Sequence, residues 1–405
     1  NNTTNTVTVE NAATGTSVTT VSTATPKTAG TSTAADTAAT TTTTTGSSDT
    51  SSTSTEQTTA VTTEKTSTET SAVSTQSTGE STSVTTETTE ESTEETSTEN
   101  LYSVKDAADY VASGTCGKNL TWTLDHDGLL VISGSGSMYM YDLFTDKPWS
   151  GHKDDIKSVR VENGVTSISC SAFASCTNLE SVIIPDSVKE IDSFTFAHCT
   201  SLTSVDIPDS VTEIGGNAFW DCTSLAEIDI PDSVEKIVQN AFEGCTSLKS
   251  ITIPDSVTEI TLSVFEGCTS LSSVKISNNA SKISNEAFIG CTSLSSIDIP
   301  DSVTEIGYHA FGNCTSLTSV RLSNKLVTIG SQAFDNCTKL TSITIPYGVE
   351  DIESSVFEYC KSLTNVEIPE SVKKIGAYAF ESCSGLKEIE LPNSLTEIGS
   401  SAFDE

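Results

Sequence analysis

The first 100 residues contain no Leu, Ile, Met, Phe, Tyr, Trp or Cys. This absence excludes a buried core, because ordering the backbone costs roughly 1–2 kcal/mol per residue and little apolar surface is available to offset that cost. Thr, Ser, Ala and, towards the end, Glu make up most of the segment. We therefore predict that residues 1–100 form a disordered linker.

Basic residues are also scarce. The chain has 20 Lys and Arg residues against 55 Asp and Glu residues, for a formal net charge of -35. This balance argues against nucleic acid or an anionic membrane as the partner, because both require clustered positive charge. No apolar run approaches the roughly 18 residues of a membrane span, so we expect no transmembrane segment. Because the sequence starts at Asn1, we expect either a removed secretion signal or a fragment of a longer protein.

Recognisable catalytic and metal-binding motifs are missing. The four histidines are scattered, and the sequence contains no Cys-x-x-Cys pair, His-Glu-x-x-His motif, phosphate-binding glycine loop or nucleophile elbow. We predict no catalytic residues, no metal site and no cofactor. Aspartates do recur at one repeat position, and we interpret them as a solvated acidic edge rather than a calcium site: Asp186, Asp209, Asp232, Asp255 and Asp301.

A 23-residue repeat dominates the rest of the chain. Phenylalanines follow this step from Phe173 to Phe403 without an insertion or deletion, and ten cysteines follow it at 176, 199, 222, 245, 268, 291, 314, 337, 360 and 383. A fixed period of this length is typical of solenoid proteins. A single repeat has an apolar stripe but no second layer to cover it, so we expect stability only from stacking.

One repeat can be interpreted residue by residue. Val205 and Ile207 alternate with polar residues, as in a strand with one buried face. Pro208 and the Asp-Ser pair after it predict the end of that strand. Val211 and Ile214 predict a second extended segment. Ala218-Phe219 and Cys222 have the spacing of one helical or 3₁₀ turn.

The motif L-x-x-[IV]-x-[IL]-P-x-S-V-x-x-I-G-x-x-A-F-x-x-C, present at 202–222, 294–314 and 363–383, resembles the leucine-rich repeats of the BspA type found in bacterial surface proteins. The resemblance covers about residues 153–405, and residues 113–138 resemble the segment that often precedes such repeats. It implies a right-handed solenoid, β-rich and of the α/β leucine-rich repeat class, with a parallel sheet on one side and short helical or 3₁₀ turns on the other. It also implies adhesion or another protein-binding role.

The domain organisation follows from these patterns. We predict a disordered linker at 1–100, an N-terminal cap with a β-hairpin at 101–152 and a solenoid at 153–405 that is truncated at its C-terminal end. The hairpin is expected at Leu120–Ile132, with Phe144 and Trp149 completing the cap. Two coils replace the Pro-Asp-Ser-Val turn by residues 277–280 and 323–326. We interpret both as tolerated turn variants, with local function as the alternative.

The cysteine ladder allows two interpretations. Neighbouring coils lie about 4.8 Å apart, which is close enough for disulfides. Each cysteine has two equivalent neighbours, however, and we favour buried free thiols. Cys116 and Cys170 fall outside the ladder, and a bridge between them is an alternative without support from the pattern.

The outward strand positions are the surface most open to a partner. They contain no aromatic residue and one arginine, so we expect polar contacts on this face. The candidate binding residues are Asp206, Asp229, Lys275, Asp298, Arg321, Glu367 and Glu390. We expect a monomeric, non-enzymatic protein, extracellular or on a bacterial surface, that binds a host matrix protein or another surface protein. The alternative is a structural spacer in a larger secreted enzyme or glycan-binding protein.

Overall fold

The computed structural model describes residues 5–8, 20–22, 109–141 and 146–405. Most of the predicted disordered linker lies outside these residues, as does Phe144. Two short strands are described near the N-terminus, β1 (Asn5–Thr8) and β2 (Thr20–Ser22). The remaining elements belong to a cap and a stack of coils, which confirms the predicted solenoid.

The cap is an antiparallel sheet that continues into the first coil. Its strands are β3 (Tyr110–Gly117), β4 (Leu120–Asp125), β5 (Leu129–Gly134) and the short β6 (Gly136–Ser137). β4 and β5 form the expected hairpin, in which Trp122 lies opposite Ile132. The sequence pattern did not indicate β3, because its inward positions carry small residues such as Ala112 and Gly114. A Cβ on Gly114 would lie 2.9 Å from Trp122 Nε1, so the strand packs there only with glycine.

The open side of the coils carries the face strands, so called because their outward residues face solvent. In the first coil, β7 (Ser158–Val161) pairs in parallel with β5 of the cap. The later face strands are β9 (Ser181–Ile183), β11 (Ser204–Val205), β14 (Ser250–Thr252), β16 (Ser273–Lys275), β18 (Ser296–Asp298), β20 (Ser319–Arg321), β22 (Ser342–Thr344), β24 (Asn365–Glu367) and β26 (Glu388–Leu391). Where neighbouring face strands pair, the pairing is parallel and brings residues 23 apart into register, as in Ser296 with Ser319. β26 instead pairs with β1 in antiparallel orientation.

A second parallel ladder follows the turn after each face strand. Its members are β8 (Val165–Ser167), β10 (Glu190–Ile191), β12 (Glu213–Ile214), β13 (Lys236–Ile237), β15 (Glu259–Ile260), β17 (Lys282–Ile283), β19 (Glu305–Ile306), β21 (Thr328–Ile329), β23 (Asp351–Ile352), β25 (Lys374–Ile375) and β27 (Glu397–Ile398). Its isoleucines from Ile191 to Ile375 are buried, whereas Ile398 in the last coil is exposed. The second extended segment predicted at Val211–Ile214 is therefore present.

The turn side is built from β-turns rather than from continuous helix. Ala218 and Cys222 donate backbone hydrogen bonds to carbonyls three residues earlier, as 3₁₀ turns do, whereas Phe219 and Asp221 donate to carbonyls of the next coil at 2.8 Å. Asn217 (φ 58°) and Asp221 (φ 55°) adopt left-handed backbone. This alternation prevents a helix from propagating. Among the described residues, the 3₁₀ helix at Ser150–His152 is the clear exception.

A column of aromatic rings forms the centre of the core. Phe219 and Phe242 stack with ring centroids 5.3 Å apart, and the same contact repeats from coil to coil as far as Phe403. At the cap end, Trp149 stacks on Phe173 at 5.6 Å and is 1% exposed. Trp149 therefore takes the place of the next phenylalanine and closes the column; the sequence analysis had placed this residue in the cap without assigning it to the column.

Candidate functional site

The outward residues of the face strands are left unburied by the coil geometry. In a typical strand the middle residue points into the core, as Ile297 does at 3% exposure, while its two neighbours are exposed. All seven candidate residues lie at one outward position of this face and are exposed: Asp206, Asp229, Lys275, Asp298, Arg321, Glu367 and Glu390. The structure separates them along the stack into two groups of acidic residues and one central group of mixed charge.

The central group is organised by Arg321, one of two arginines in the chain. Its Nε lies 3.3 Å from Asp298 Oδ1, and its Nη1 lies 3.4 Å from Asp301 Oδ1. Asp301 also accepts a hydrogen bond from the backbone N–H of Asn324 at 3.0 Å. This hydrogen bond, with smaller contributions from the Asn324 side chain and Arg321, lowers the pKa of Asp301. Two carboxylates thus orient a half-exposed guanidinium over the face.

Lys275 lies two coils before Arg321, and Asp298 lies in the coil between them. The two basic residues share an unusual context, since each precedes one of the two turns in which Ser-Asn replaces the Pro-Asp of the repeat. After Lys275, the Asn278 backbone N–H and side chain donate to the Asp255 carboxylate and lower its pKa. Ser277 is fully buried and donates to Val257 O at 2.6 Å. These contacts stabilise the irregular turns, which supports their interpretation as structural variants.

A shallow groove of about 340 Å³ crosses the face at the central group. Its lining includes the hydroxyl-bearing residues Ser273, Ser296 and Ser319 together with Asp298 and Arg321. Lys275 is not part of this lining. Ladder pairing joins β14 with β16 and β18 with β20, but not β16 with β18, so the groove spans a break in strand pairing.

The acidic groups lie on either side of the central group. Asp206 and Asp229 form a parallel bridge between neighbouring coils on the cap side. On the other side, Glu367 and Glu390 line a second groove of about 510 Å³, which also includes Glu388. Thr344 Oγ1 donates to Glu367 Oε2 at 3.0 Å. Like charges therefore flank the mixed-charge centre.

One exposed aromatic residue at the rim of the face was missed by the sequence analysis. Tyr347 is 74% exposed and occupies the repeat position of Asp301 and Asn324, one coil beyond Asn324. The signal was the replacement of Pro-Asp-Ser-Val by Pro-Tyr-Gly-Val, which a search confined to strand positions does not detect. Tyrosine and arginine are the residue types that most often anchor protein interfaces.

The turn side carries the remaining aromatic and histidine residues. His198 Nδ1 lies 3.3 Å from Asp221 Oδ2, and the His198 ring lies 4.4 Å from the Trp220 ring. His309 Nε2 lies 3.4 Å from Asp335 Oδ2. Neither pair is accompanied by a third group of the Ser, Cys or metal-ligand type in the contacts described. Their neighbours are coil residues, which supports a structural role for both.

The ladder cysteines are buried free thiols. Each Sγ from Cys199 onwards donates to the carbonyl of a phenylalanine 26 residues earlier, as Cys268 does to Phe242 O at 3.2 Å. Burial raises the pKa of Cys268 to about 12 and that of Cys116, outside the ladder, to about 11. These thiols stay protonated in the folded chain, and those from Cys199 onwards link successive coils. Cys170, which is partly exposed, is also free.

Within the described ranges, no group of three or more His, Cys, Asp or Glu side chains is placed to hold a metal ion. In the same ranges, none of the helices has both the length and the apolar character needed to cross a bilayer. The comparison with curated proteins gives no match.

Three solved structures of bacterial proteins are similar to this chain. A leucine-rich repeat protein from Bacteroides ovatus ATCC 8483 is 28% identical, with 71% of this chain and 91% of that chain covered and a TM-score of 0.52. A leucine-rich repeat protein from Eubacterium ventriosum ATCC 27560 is 27% identical, with 72% and 95% covered and a TM-score of 0.47. A leucine rich cell surface protein from Faecalibacterium prausnitzii A2-165 is 28% identical, with 73% and 96% covered and a TM-score of 0.39.

The model of the BspA type leucine rich repeat region, which contains 6 copies of the repeat, matches residues 152–272, 218–324, 259–365 and 304–405. These overlapping matches include every coil described above and span more than half of the chain. The 23-residue step, the stacked phenylalanines and the two parallel ladders are the structural counterpart of that match. The chain belongs to the BspA-type leucine-rich repeat family.

Proposed function

We propose that this chain is a non-catalytic protein of the bacterial surface or the extracellular space, and that it binds another protein through the open face of its solenoid. Membership of a leucine-rich repeat family supports a scaffold or protein-interaction role. The partner class that we propose is a host matrix protein or another surface protein, and the binding role is adhesive.

The observation that carries this proposal is the oriented Arg321. Its guanidinium is held by Asp298 and Asp301 at the edge of a groove, and about half of its side chain remains exposed. A side chain ordered before binding loses less conformational entropy when a partner docks. The arginine can therefore contribute more of its hydrogen-bonding energy to the complex.

Binding to immobilised fibronectin, laminin and type I collagen, measured by biolayer interferometry, tests the proposal. We expect saturable binding of the unmodified chain to at least one of these proteins. Arg321→Glu should weaken that binding at least tenfold, because it places a third carboxylate beside Asp298 and Asp301. Arg321→Ala removes the positive charge without adding a carboxylate, so it should weaken binding less.

The matched control is Lys374→Glu, which makes the same change of charge in the second ladder, away from the face. Lys374 is exposed and pairs with Glu397 at 3.2 Å, so its replacement also breaks an ion pair. Equal losses in both variants would show a net-charge effect and contradict a site at Arg321. Absence of saturable binding to all three matrix proteins would contradict matrix adhesion and favour the spacer role.

A further inference from the structure

Two neighbouring coils depart from the repeat at the same place on the rim of the face. Tyr347 is 74% exposed, at a repeat position that holds Asp, Asn or Glu in every other coil. Val327 is 57% exposed, at a repeat position that holds Thr, Ser, Lys or Glu in every other coil. Stacking does not require an apolar side chain at either position, because the other coils stack without one.

A glycine places these two residues close to one another. A Cβ at Gly348 would collide with Leu326 O and would lie 3.9 Å from Val327 Cα, so the turn approaches the preceding coil this closely only with glycine. Tyr347 precedes Gly348 directly, and adjacent Cα atoms are about 3.8 Å apart, which places Tyr347 Cα within about 9 Å of Val327 Cα. Lys325 occupies the repeat position of Gly348 one coil earlier. We call Lys325, Val327 and Tyr347 the rim patch.

Lys325 carries the free charge of the rim patch. It is exposed, and the ion pairs that lysines and arginines form within the described ranges do not include it. Two carboxylates of the neighbouring turns already have partners: Asp301 lies 3.4 Å from Arg321 Nη1, and Glu350 lies 2.7 Å from Lys373 Nζ. The rim patch therefore presents an unpaired ammonium group beside two exposed apolar side chains.

This combination defines the chemistry of a fitting partner. An apolar side chain that packs against Tyr347 and Val327 is removed from water, and a neighbouring carboxylate can pair with Lys325. A basic segment is disfavoured because it brings a like charge to Lys325. Since the chain has a net charge of -35, which repels a strongly acidic protein, a single carboxylate fits better than an acidic run.

We propose that the rim patch is an anchor site for a partner protein, and that it takes an apolar side chain of that protein next to one Asp or Glu. Arg321 lies in the same coil, four residues before Lys325, so the rim patch adjoins the central group. The inference rests on the proposed protein-binding function and names the chemistry that the partner presents at this end of the site.

Selection from a phage library of random twelve-residue peptides on the immobilised 405-residue chain tests the proposal. We expect enrichment of peptides in which an aliphatic or aromatic residue lies beside one Asp or Glu. Recovery of these peptides should fall at least tenfold on the double variant Val327→Thr with Tyr347→Asn, which removes the apolar contact. Both substitutions restore residues that other coils carry at these positions, so the melting temperature should be unchanged. Lys325→Glu should lower recovery at least tenfold by repelling the carboxylate.

Two substitutions serve as matched controls for the selection. Tyr308→Ser removes another exposed tyrosine, on the turn side, and restores the residue of the next coil, Ser331. Lys374→Glu makes the same change of charge as Lys325→Glu in the second ladder. Recovery on each control should stay within twofold of that on the unmodified chain. Equal recovery on the unmodified chain and the double variant, equal losses in Lys325→Glu and Lys374→Glu, or enrichment of basic peptides would overturn the proposal.

Sedimentation equilibrium distinguishes a second copy of this chain from a different partner. We expect a monomer, and a dimer that is lost in the double variant would overturn the proposal by assigning the rim patch to self-association. The two proposals can also fail separately. A chain that selects these peptides but binds none of the three matrix proteins would contradict matrix adhesion and support the rim patch. A chain that binds a matrix protein through Arg321 but selects no such peptides would contradict the rim patch alone.

Discussion

At the scale of single residues, the buried thiols make the stability of the folded chain depend on pH. The pKa of Cys268 rises from an ordinary 9.0 to about 12 because burial disfavours the thiolate. Between these two values the folded chain keeps a proton that the unfolded chain releases, so rising pH favours unfolding. The stabilisation is complete below about pH 9 and is lost as pH approaches about 12. The pH dependence has the same direction for the other ladder cysteines whose pKa is raised, such as Cys314.

We therefore expect the guanidinium midpoint of unfolding to fall between about pH 8 and pH 10. Replacing three ladder cysteines together, in the variant Cys245→Ala, Cys268→Ala and Cys291→Ala, should reduce this fall, because fewer thiols then titrate on unfolding. An identical pH dependence in the two proteins would show that other groups cause it.

Left-handed backbone at the turns leads to a second prediction at this scale. Gly267 has φ 68°, and a Cβ placed there would meet no atom closer than Gly244 Cα at 3.9 Å. Gly267→Ser should thus destabilise the chain by about 1 kcal/mol through backbone conformation alone. The control is Gly151→Ser, at an open position without positive φ, which should change stability by less than about 0.5 kcal/mol. Denaturant unfolding measures both, and equal losses would contradict the conformational explanation.

At the scale of the element, the coil is the unit that can be removed. Deleting residues 223–245 joins Cys222 to Thr246 and leaves the order of strand, turn and buried phenylalanine unchanged. We expect the shortened chain to fold with the same circular dichroism per residue. Its neighbouring coils can restore the same stacked contacts.

A deletion one residue shorter, 223–244, is the control for register. It shifts every later side chain by one position at the junction, and a shift of one residue moves the inward set of a strand outward. We expect a clearly lower melting temperature than for the 23-residue deletion. Equal melting temperatures would contradict the coil as the structural unit.

At the scale of the whole molecule, the net charge of -35 opposes the compact state. Repulsion between exposed carboxylates is screened by salt, with a Debye length of about 10 Å at 0.1 M. Isolated surface ion pairs such as Lys373–Glu350 at 2.7 Å contribute little in return. We expect the melting temperature to rise between 20 and 200 mM sodium chloride. Sodium chloride and choline chloride should act alike, and a lower melting temperature in salt would contradict net repulsion.

Much of the solenoid could be predicted because its information is local and repeated. The 23-residue step and the inward positions of Val205 and Ile214 follow from apolar spacing alone, since a coil that cannot cover its own apolar stripe must stack. The closing role of Trp149 did not, because Trp149 lies 24 residues before Phe173 and outside the step. β3 was missed because small inward residues such as Ala112 give no apolar signal. Tyr347 was missed because it lies at the rim, outside the strand pattern.

The sequence by itself determined the repeat, the family and the set of outward residues, because these depend on order along the chain. Only the tertiary structure decided which of those residues meet. Arg321 contacts Asp298 and Asp301, each ladder thiol from Cys199 onwards reaches a carbonyl 26 residues earlier, and β1 pairs with β26. Such contacts depend on the coil register, on side-chain rotamers and on chain segments hundreds of residues apart. None of these leaves a pattern within one repeat.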